Sequence, residues 1–335
     1  MSERVLVTGG CGFIGSNLVH RLRQKGYEVV VVDDMSNGNL EFLDGLPFRT
    51  VPHQMVQGYE ESEAYGEDKV LVVTGDFACD WVLNRLRSGY FNGVFHLAAN
   101  PRVEYSVKYP VETHETNVFK SVALFQAAAK GNAKVIFSSS CAVYGDAKSI
   151  PTYESSQPDP NSPYGLQKLE CEKYLQLFSK LYGLRSYSLR YFNVYGPRQL
   201  GGSPYSTAVS AWAHAAYYEM PLRSDGDGTQ TRDMVFVEDV VDVNIKAYES
   251  RIDFGRYPIN VGTGKSISNN EILAHFKVYF DPKIVNAPWR PGDVMHTQAG
   301  NDVLRMLMGK GYEFTDFKDG LKKTLSWWDT IMCAS

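Results

Sequence analysis

The sequence predicts an α/β protein, a doubly wound parallel sheet followed by a smaller C-terminal α/β domain. Three observations carry this reading. Short apolar runs ending in Gly, Asp or Ser alternate with helical stretches through the first half of the chain. The first run, Val5-Leu6-Val7, passes directly into a glycine-spaced turn at Gly9, Gly12 and Gly15. Beyond Asn193 the alternation fades and Gly and Pro become frequent.

Each element follows from local pattern. After the glycine turn, Ile14, Leu18 and Leu22 recur every four residues as the buried stripe of a helix, and Gly26 ends it. Val29-Val30-Val31-Val32 is the next strand, closing at Asp33. The segment 45–69 is polar, acidic and patternless and is read as an irregular insertion. Val70–Val73 ends at Gly75-Asp76, Gly93–Leu97 follows, and Ala133–Phe137 runs on into Ser138-Ser139-Ser140. A helix begins at Pro163, and Met234–Val237 and Tyr257–Val261 are further strands. The expected division is residues 1–190 for the first domain and 191–335 for the second, with a segment near 233–262 returning to the first.

The chain has 335 residues and a formal net charge of −4, which gives no electrostatic reason to expect nucleic acid or an anionic membrane as partner. It starts almost at once with a strand, so no secretory leader is expected, and its longest uncharged run, Gln199–Tyr218, is too polar to span a bilayer. Five widely spaced cysteines, with no Cys-x-x-Cys pair, fit a reduced cytoplasmic protein rather than a disulfide framework or a metal site.

The chemistry is carried by two constellations. Without Cβ atoms at Gly9, Gly12 and Gly15, a pyrophosphate can approach backbone amides at a helix N-terminus, and Asp33 can accept hydrogen bonds from the adenosine ribose. This is a Rossmann-type dinucleotide site, and Asp33-Asp34-Met35, acidic and without an arginine for a 2′-phosphate, favours NAD. The second constellation is Tyr164 and Lys168, one helical turn apart on one face, with Ser140 at the end of a preceding strand. An ammonium stabilises a phenolate, and a serine hydroxyl can hold a substrate alcohol against it, which makes a proton-abstraction site for alcohol oxidation. His96 is read as packing its strand, and Cys11 and Cys141 as small fillers.

The chain resembles the extended short-chain dehydrogenase/reductase superfamily, and within it the nucleotide-sugar epimerases, from Val5 to Trp328. The marks are Thr8–Gly15, His96–Ala99, Ser138–Gly145, Ser162–Lys168, Arg190–Arg198, Gly226–Asp233 and Arg290-Pro291-Gly292-Asp293. The resemblance implies that NAD meets Phe13 and Ile14 at the turn, Asp33 at the ribose with Asp34, Met35, Ser36, Asn37 and Gly38 after it, and Asp76 and Phe77 around the adenine. Leu97, Ala98, Ala99, Asn117, Ser138 and Phe192 line the rest of the cofactor path, with Tyr164 and Lys168 at its reactive end. Toward the substrate, Asn193, Arg232 and Arg290 match positions that grip the diphosphate, Asp293 lies near the nucleoside ribose, and Ser140 meets the sugar. Guanidinium forks suit diphosphate oxygens on chemical grounds alone, although Asp233 beside Arg232 offers the alternative of a surface ion pair.

Among relatives that share this machinery, dehydratases carry acidic residues just after the serine-rich strand, where this chain has Cys141 and Ala142. The resemblance therefore implies 4-epimerisation of a UDP-sugar with NAD retained between turnovers. Thr297, where relatives restricted to glucose and galactose carry a tyrosine, implies room for N-acetylated hexoses as well. UDP-glucuronate 4-epimerisation or decarboxylation is the alternative, with Arg102 in the relevant loop but Glu104 at the matching position. A non-catalytic NAD-sensing protein is a remote alternative, and it typically loses the tyrosine or lysine kept here. The helices after Asn117 and Tyr164 carry apolar residues (Val118, Val122, Phe125; Leu169, Leu177, Leu181) where relatives form a homodimer interface.

Overall fold

The computed structural model describes residues 3–56, 70–202, 207–252, 257–289 and 294–334. The chain divides into two compact units. The first comprises Met1–Val143, Pro160–Arg190 and Val241–Ile259; the second comprises Tyr144–Asp159, Tyr191–Val240 and Asn260–Ser335.

A large parallel sheet of eight strands organises the fold. Its strands are β1 (Arg4–Thr8), β2 (Glu28–Asp33), β3 (Phe48–Pro52), β4 (Val70–Thr74), β5 (Gly93–His96), β6 (Lys134–Ser140), β7 (Ser186–Tyr191) and a late strand Ile259–Val261. From that late strand the order runs β7-β6-β5-β1-β2-β4-β3. The pairings of β1 with β2 and β5, of β4 with β2 and β3, and of β5 with β6 are all parallel, so their C-terminal ends share one edge. Val5, Leu6, Val7, Val30, Val31 and Val32 are all buried, as expected of strands covered on both faces. The order reverses beside β1, the switch point at which ligands bind in such sheets.

The glycine turn after β1 is sterically obligatory. A Cβ at Gly15 would lie 2.0 Å from the Gly9 carbonyl oxygen, and one at Gly9, where φ is +70°, would lie 2.8 Å from the Ala98 amide nitrogen. Only glycine lets β1, the following helix Phe13–Gln24 and the loop after β5 converge there.

Two expectations need correction. Part of the segment read as irregular is β3, a parallel edge strand beside β4; residues 57–69 lie outside the described residues. Phe48-Arg49-Thr50-Val51-Pro52 mixes polar residues with a proline, a composition tolerated at a sheet edge and silent to a search for apolar runs. Val118 and Phe125 are buried in the core against the sheet and not on an outer face. The apolar residues left outside on the same helical run are Val107, Val111 and Phe119, with Leu166, Leu177 and Leu181 on helix Pro163–Tyr182.

In the second unit, β8 (Asn193–Tyr195) pairs in parallel with Met234–Phe236, and Thr231–Arg232 pairs antiparallel with Ile267–Ser268. Among the described residues, no helix is long and apolar enough to cross a membrane, and none of the five cysteines is in a disulfide.

Candidate active site

The strand ends of the first unit bring the dinucleotide positions together. Gly12 caps helix Phe13–Gln24, placing Phe13 and Ile14 in its first turn, and Gly9 donates to Val32 O. The Asp33 carboxylate accepts from Cys11 N at 2.9 Å through one oxygen and from Met35 N at 2.9 Å through the other. Burial raises its pKa while these two amides act in the opposite direction. Asp34 accepts from Ser36 N, Gly38 packs against the Asp33 carboxylate, and Asn37 accepts a hydrogen bond from Arg102 at 2.7 Å. Arg102 is thus tied to the loop after β2. Leu97 N and Ala98 N donate to Thr8, which sets residues 97–99 against the glycine turn. Asp76 pairs with Lys120 at 2.7 Å, and Phe77 is buried in the core edge-on to His96.

The side chains expected to handle a proton sit on helix Pro163–Tyr182, which Ser162 starts by accepting from Gly165 N and Gly183 ends in a left-handed conformation. Tyr164, Lys168 and Glu172 follow one another at single-turn spacing. The Lys168 ammonium donates to Ser138 O at 2.8 Å and lies 5.7 Å from the centre of the Tyr164 ring. Ser140 accepts from Ala142 N at 3.2 Å and lies near enough to the Tyr164 hydroxyl to act on its pKa. Burial drives the Tyr164 phenol well above its ordinary value, with Ser140 pulling the other way. Burial also brings Lys168 down to about 8.

Three supporting groups escaped the sequence reading. Glu172 takes Arg190 in a buried bidentate pair, at 2.9 and 2.6 Å, and accepts from Ser139 Oγ at 2.5 Å. The continued four-residue spacing beyond Lys168 was the available signal for Glu172. Gln167 joins the network around Asn117, a residue expected along the cofactor path. Asn117 lies in a π-helical turn, Glu115–Phe119, and its buried amide is engaged at both ends by protein. It accepts from Asn100 N at 2.7 Å and donates to Asn100 O and to Gln167 Oε1. Ser106 Oγ, the third, accepts from Tyr164 N at the start of the helix.

His96 lies buried between Thr8 Oγ1 at 2.7 Å and Ser121 Oγ at 2.9 Å. Burial lowers its pKa to about 3, so the ring is neutral in the folded protein.

The second unit gathers Asn193, Arg232 and Thr297. Arg232 donates to Thr231 O and Met295 O, and Thr297 Oγ1 accepts from Asp233 N and donates to Asn193 Oδ1. Phe192, also in this unit, is buried and donates its amide to Val261 O. Arg290 and Asp293 lie outside the described residues. Asp233 is fully buried, and its carboxylate accepts from Thr263 N, Thr263 Oγ1, Gly264 N and Ala299 N, so it is an internal anchor rather than half of a surface ion pair.

A doubly wound sheet with a side-chain-free turn after its first strand, an aspartate closing the second and a tyrosine–lysine pair beside the serine-ended one is the architecture of a dinucleotide-dependent enzyme. The sequence model of the NAD dependent epimerase/dehydratase family matches residues 5–262, and the chain belongs to that family. Its cofactor is NAD, which a glycine turn at a helix N-terminus and an Asp33 carboxylate with a single main-chain donor on each oxygen fit. The chain is 30% identical to the putative UDP-glucose 4-epimerase of Methanocaldococcus jannaschii over 96% of this chain and 97% of that one. It is similar to the structure of the UDP-N-acetylglucosamine 4-epimerase of Methanobrevibacter ruminantium in complex with UDP-N-acetylmuramic acid, with a TM-score of 0.86, 33% identity and coverage of 99% and 100%. The UDP-glucose 4-epimerase of Thermotoga maritima with UDP-glucose gives 0.84, 32%, 98% and 99%.

His96 sets an acid limit on stability. The unfolded chain takes up its imidazole proton near pH 6.5, whereas the folded ring accepts one only near 3. Between these values the unfolded state binds more protons, so stability contributed by the neutral ring is present above this window and is lost as pH falls through it. Urea unfolding at a series of pH values is expected to show this loss, and NMR is expected to show His96 still neutral where exposed histidines have titrated.

Proposed function

We propose that the protein interconverts UDP-hexoses that differ in configuration at C4, both glucose/galactose and their N-acetylated counterparts. One observation carries the proposal: Ser140, Tyr164 and Lys168 form a complete set for removing a hydroxyl proton, and the chain after β6 continues as Cys141-Ala142, without the acid that dehydration needs. The names of the relatives point the same way.

NAD, when bound, supplies the oxidant for C4 and the reductant that restores it. This chain's residues handle everything else. Ser140 holds the C4 hydroxyl and Tyr164 takes its proton. The phenol starts from a pKa raised by burial, so a phenolate needs a nearby cation, and the Lys168 ammonium, fixed by Ser138 O, provides one. The resulting 4-keto sugar turns about its diphosphate link and is reduced on the opposite face, with Tyr164 returning the proton. Arg232 and Asn193, with Arg290, bind the diphosphate, and Asp293 the nucleoside ribose, while the flat sugar turns. Thr297 leaves space for a C2 N-acetyl group.

The uronate alternative asks for a cation at the sugar carboxylate. A relative from Bacillus cytotoxicus, the UDP-N-acetyl-alpha-D-glucosaminuronate decarboxylase, is 30% identical. Arg102, the candidate here, donates to Asn37 in the cofactor-side loop, which weighs against that role.

A homodimer is part of the proposal. Val111 is 81% exposed, Phe119 70% and Leu181 59%, an apolar face on two adjoining helices that a second copy would cover. Sedimentation is expected to give a dimer for the wild type and a monomer for Val111→Lys combined with Phe119→Lys; a wild-type monomer contradicts the assignment.

The activity is tested by incubating the protein with UDP-glucose, UDP-N-acetylglucosamine or UDP-glucuronate, without added NAD, and resolving the products by anion exchange and NMR. The 4-epimers of the first two are expected, and Tyr164→Phe is expected to lower kcat by about a hundredfold to ten-thousandfold with NAD still bound. Carbon dioxide release from UDP-glucuronate would instead favour the decarboxylase. A Tyr164→Phe protein that keeps its biological function would favour NAD sensing.

A further inference from the structure

We propose that Thr297 is a positioning residue that fixes the amide of Asn193 so that only its NH2 end faces a nucleoside diphosphate. The inference rests on the reading of the second unit as the nucleotide-sugar unit and adds a role that the size of residue 297 does not capture.

The hydrogen bonds run in one direction through the Thr297 hydroxyl. A main-chain N–H can only donate, so Thr297 Oγ1 accepts from Asp233 N at 3.1 Å. The single hydroxyl proton is then directed to the other neighbour, Asn193 Oδ1, at 3.3 Å. That bond occupies the carbonyl end of the amide and leaves its two N–H donors for a ligand. An unrestrained asparagine would present either end, and its acceptor end would repel a phosphate oxygen.

The anchor behind this relay is rigid. The Asp233 carboxylate is fully buried and receives four donors from residues 263, 264 and 299. Asn193 N donates to Asp233 O at 3.1 Å, and Thr297 N to Thr231 O at 3.1 Å, so backbone bonds fix both ends of the relay. Arg232, between Thr231 and Asp233, is oriented by the Thr231 and Met295 carbonyls. Asn193 is therefore a preorganised donor, suited to an anion and to nothing cationic.

The test is a double-mutant cycle read by calorimetric titration with UDP and by steady-state kinetics. Thr297→Val keeps the volume and removes the hydroxyl. It is expected to weaken UDP binding and raise KM about tenfold, as for loss of a hydrogen bond to a charged group, with kcat and NAD content unchanged. Thr297→Ser is expected to restore wild-type binding. In an Asn193→Ala background, Thr297→Val is expected to have almost no further effect. UDP binding by Thr297→Val as tight as wild type, or full additivity in the cycle, overturns the positioning role and leaves the proposed activity standing. Failure of the wild-type protein to bind UDP overturns the nucleotide-sugar reading, and the positioning role with it.

Discussion

The bidentate pair of Glu172 with Arg190 is the interaction on which the candidate site around Tyr164 depends. Both side chains are sealed from water, and Ser139 completes the Glu172 carboxylate, so one ion pair ties β6, β7 and helix Pro163–Tyr182 together. A buried pair gives little net stability over an apolar replacement, but losing one partner strands a charge at a cost of about 3–5 kcal/mol. The benefit here is geometric. Glu172 is one turn beyond Lys168 and Lys168 one turn beyond Tyr164, so pinning Glu172 to β6 fixes where the ammonium and the phenol meet Ser138 and Ser140.

Burial works on that site in a consistent direction. It opposes charge on Tyr164 and Lys168 alike, raising the phenol and lowering the ammonium. A lone buried tyrosine would be a poor base, and a lone buried lysine would shed its proton. Placed together, with the Ser138 carbonyl on the ammonium and the Ser140 hydroxyl on the phenol, each favours the ionised form of the other.

Much of this was legible in the sequence because its causes are local. The glycine spacing, the valine run closing at Asp33 and the four-residue step from Tyr164 to Lys168 each lie within one or two elements. What was illegible depends on distant partners. Asp233 looked like a companion for Arg232 because its true donors come from residues 263, 264 and 299. The outward apolar face was assigned to Val118 and Phe125 because periodicity alone cannot say which stripe meets the sheet. The π-helical turn at Glu115–Phe119 compounds this by inserting a residue and rotating the helix that follows. β3 was invisible because an edge strand needs only one buried residue, Val51, to be retained.

The central claim is that C4 of the sugar is oxidised and reduced again within one turnover, while Tyr164 moves only the hydroxyl proton. The most direct measurement uses UDP-glucose deuterated at C4, incubated with the protein in ordinary water, followed by NMR of the UDP-galactose formed. The deuterium is expected to remain at C4 of the product. Loss of the label from C4 would contradict oxidation and reduction at that carbon and point to a proton-transfer epimerisation through a carbanion instead.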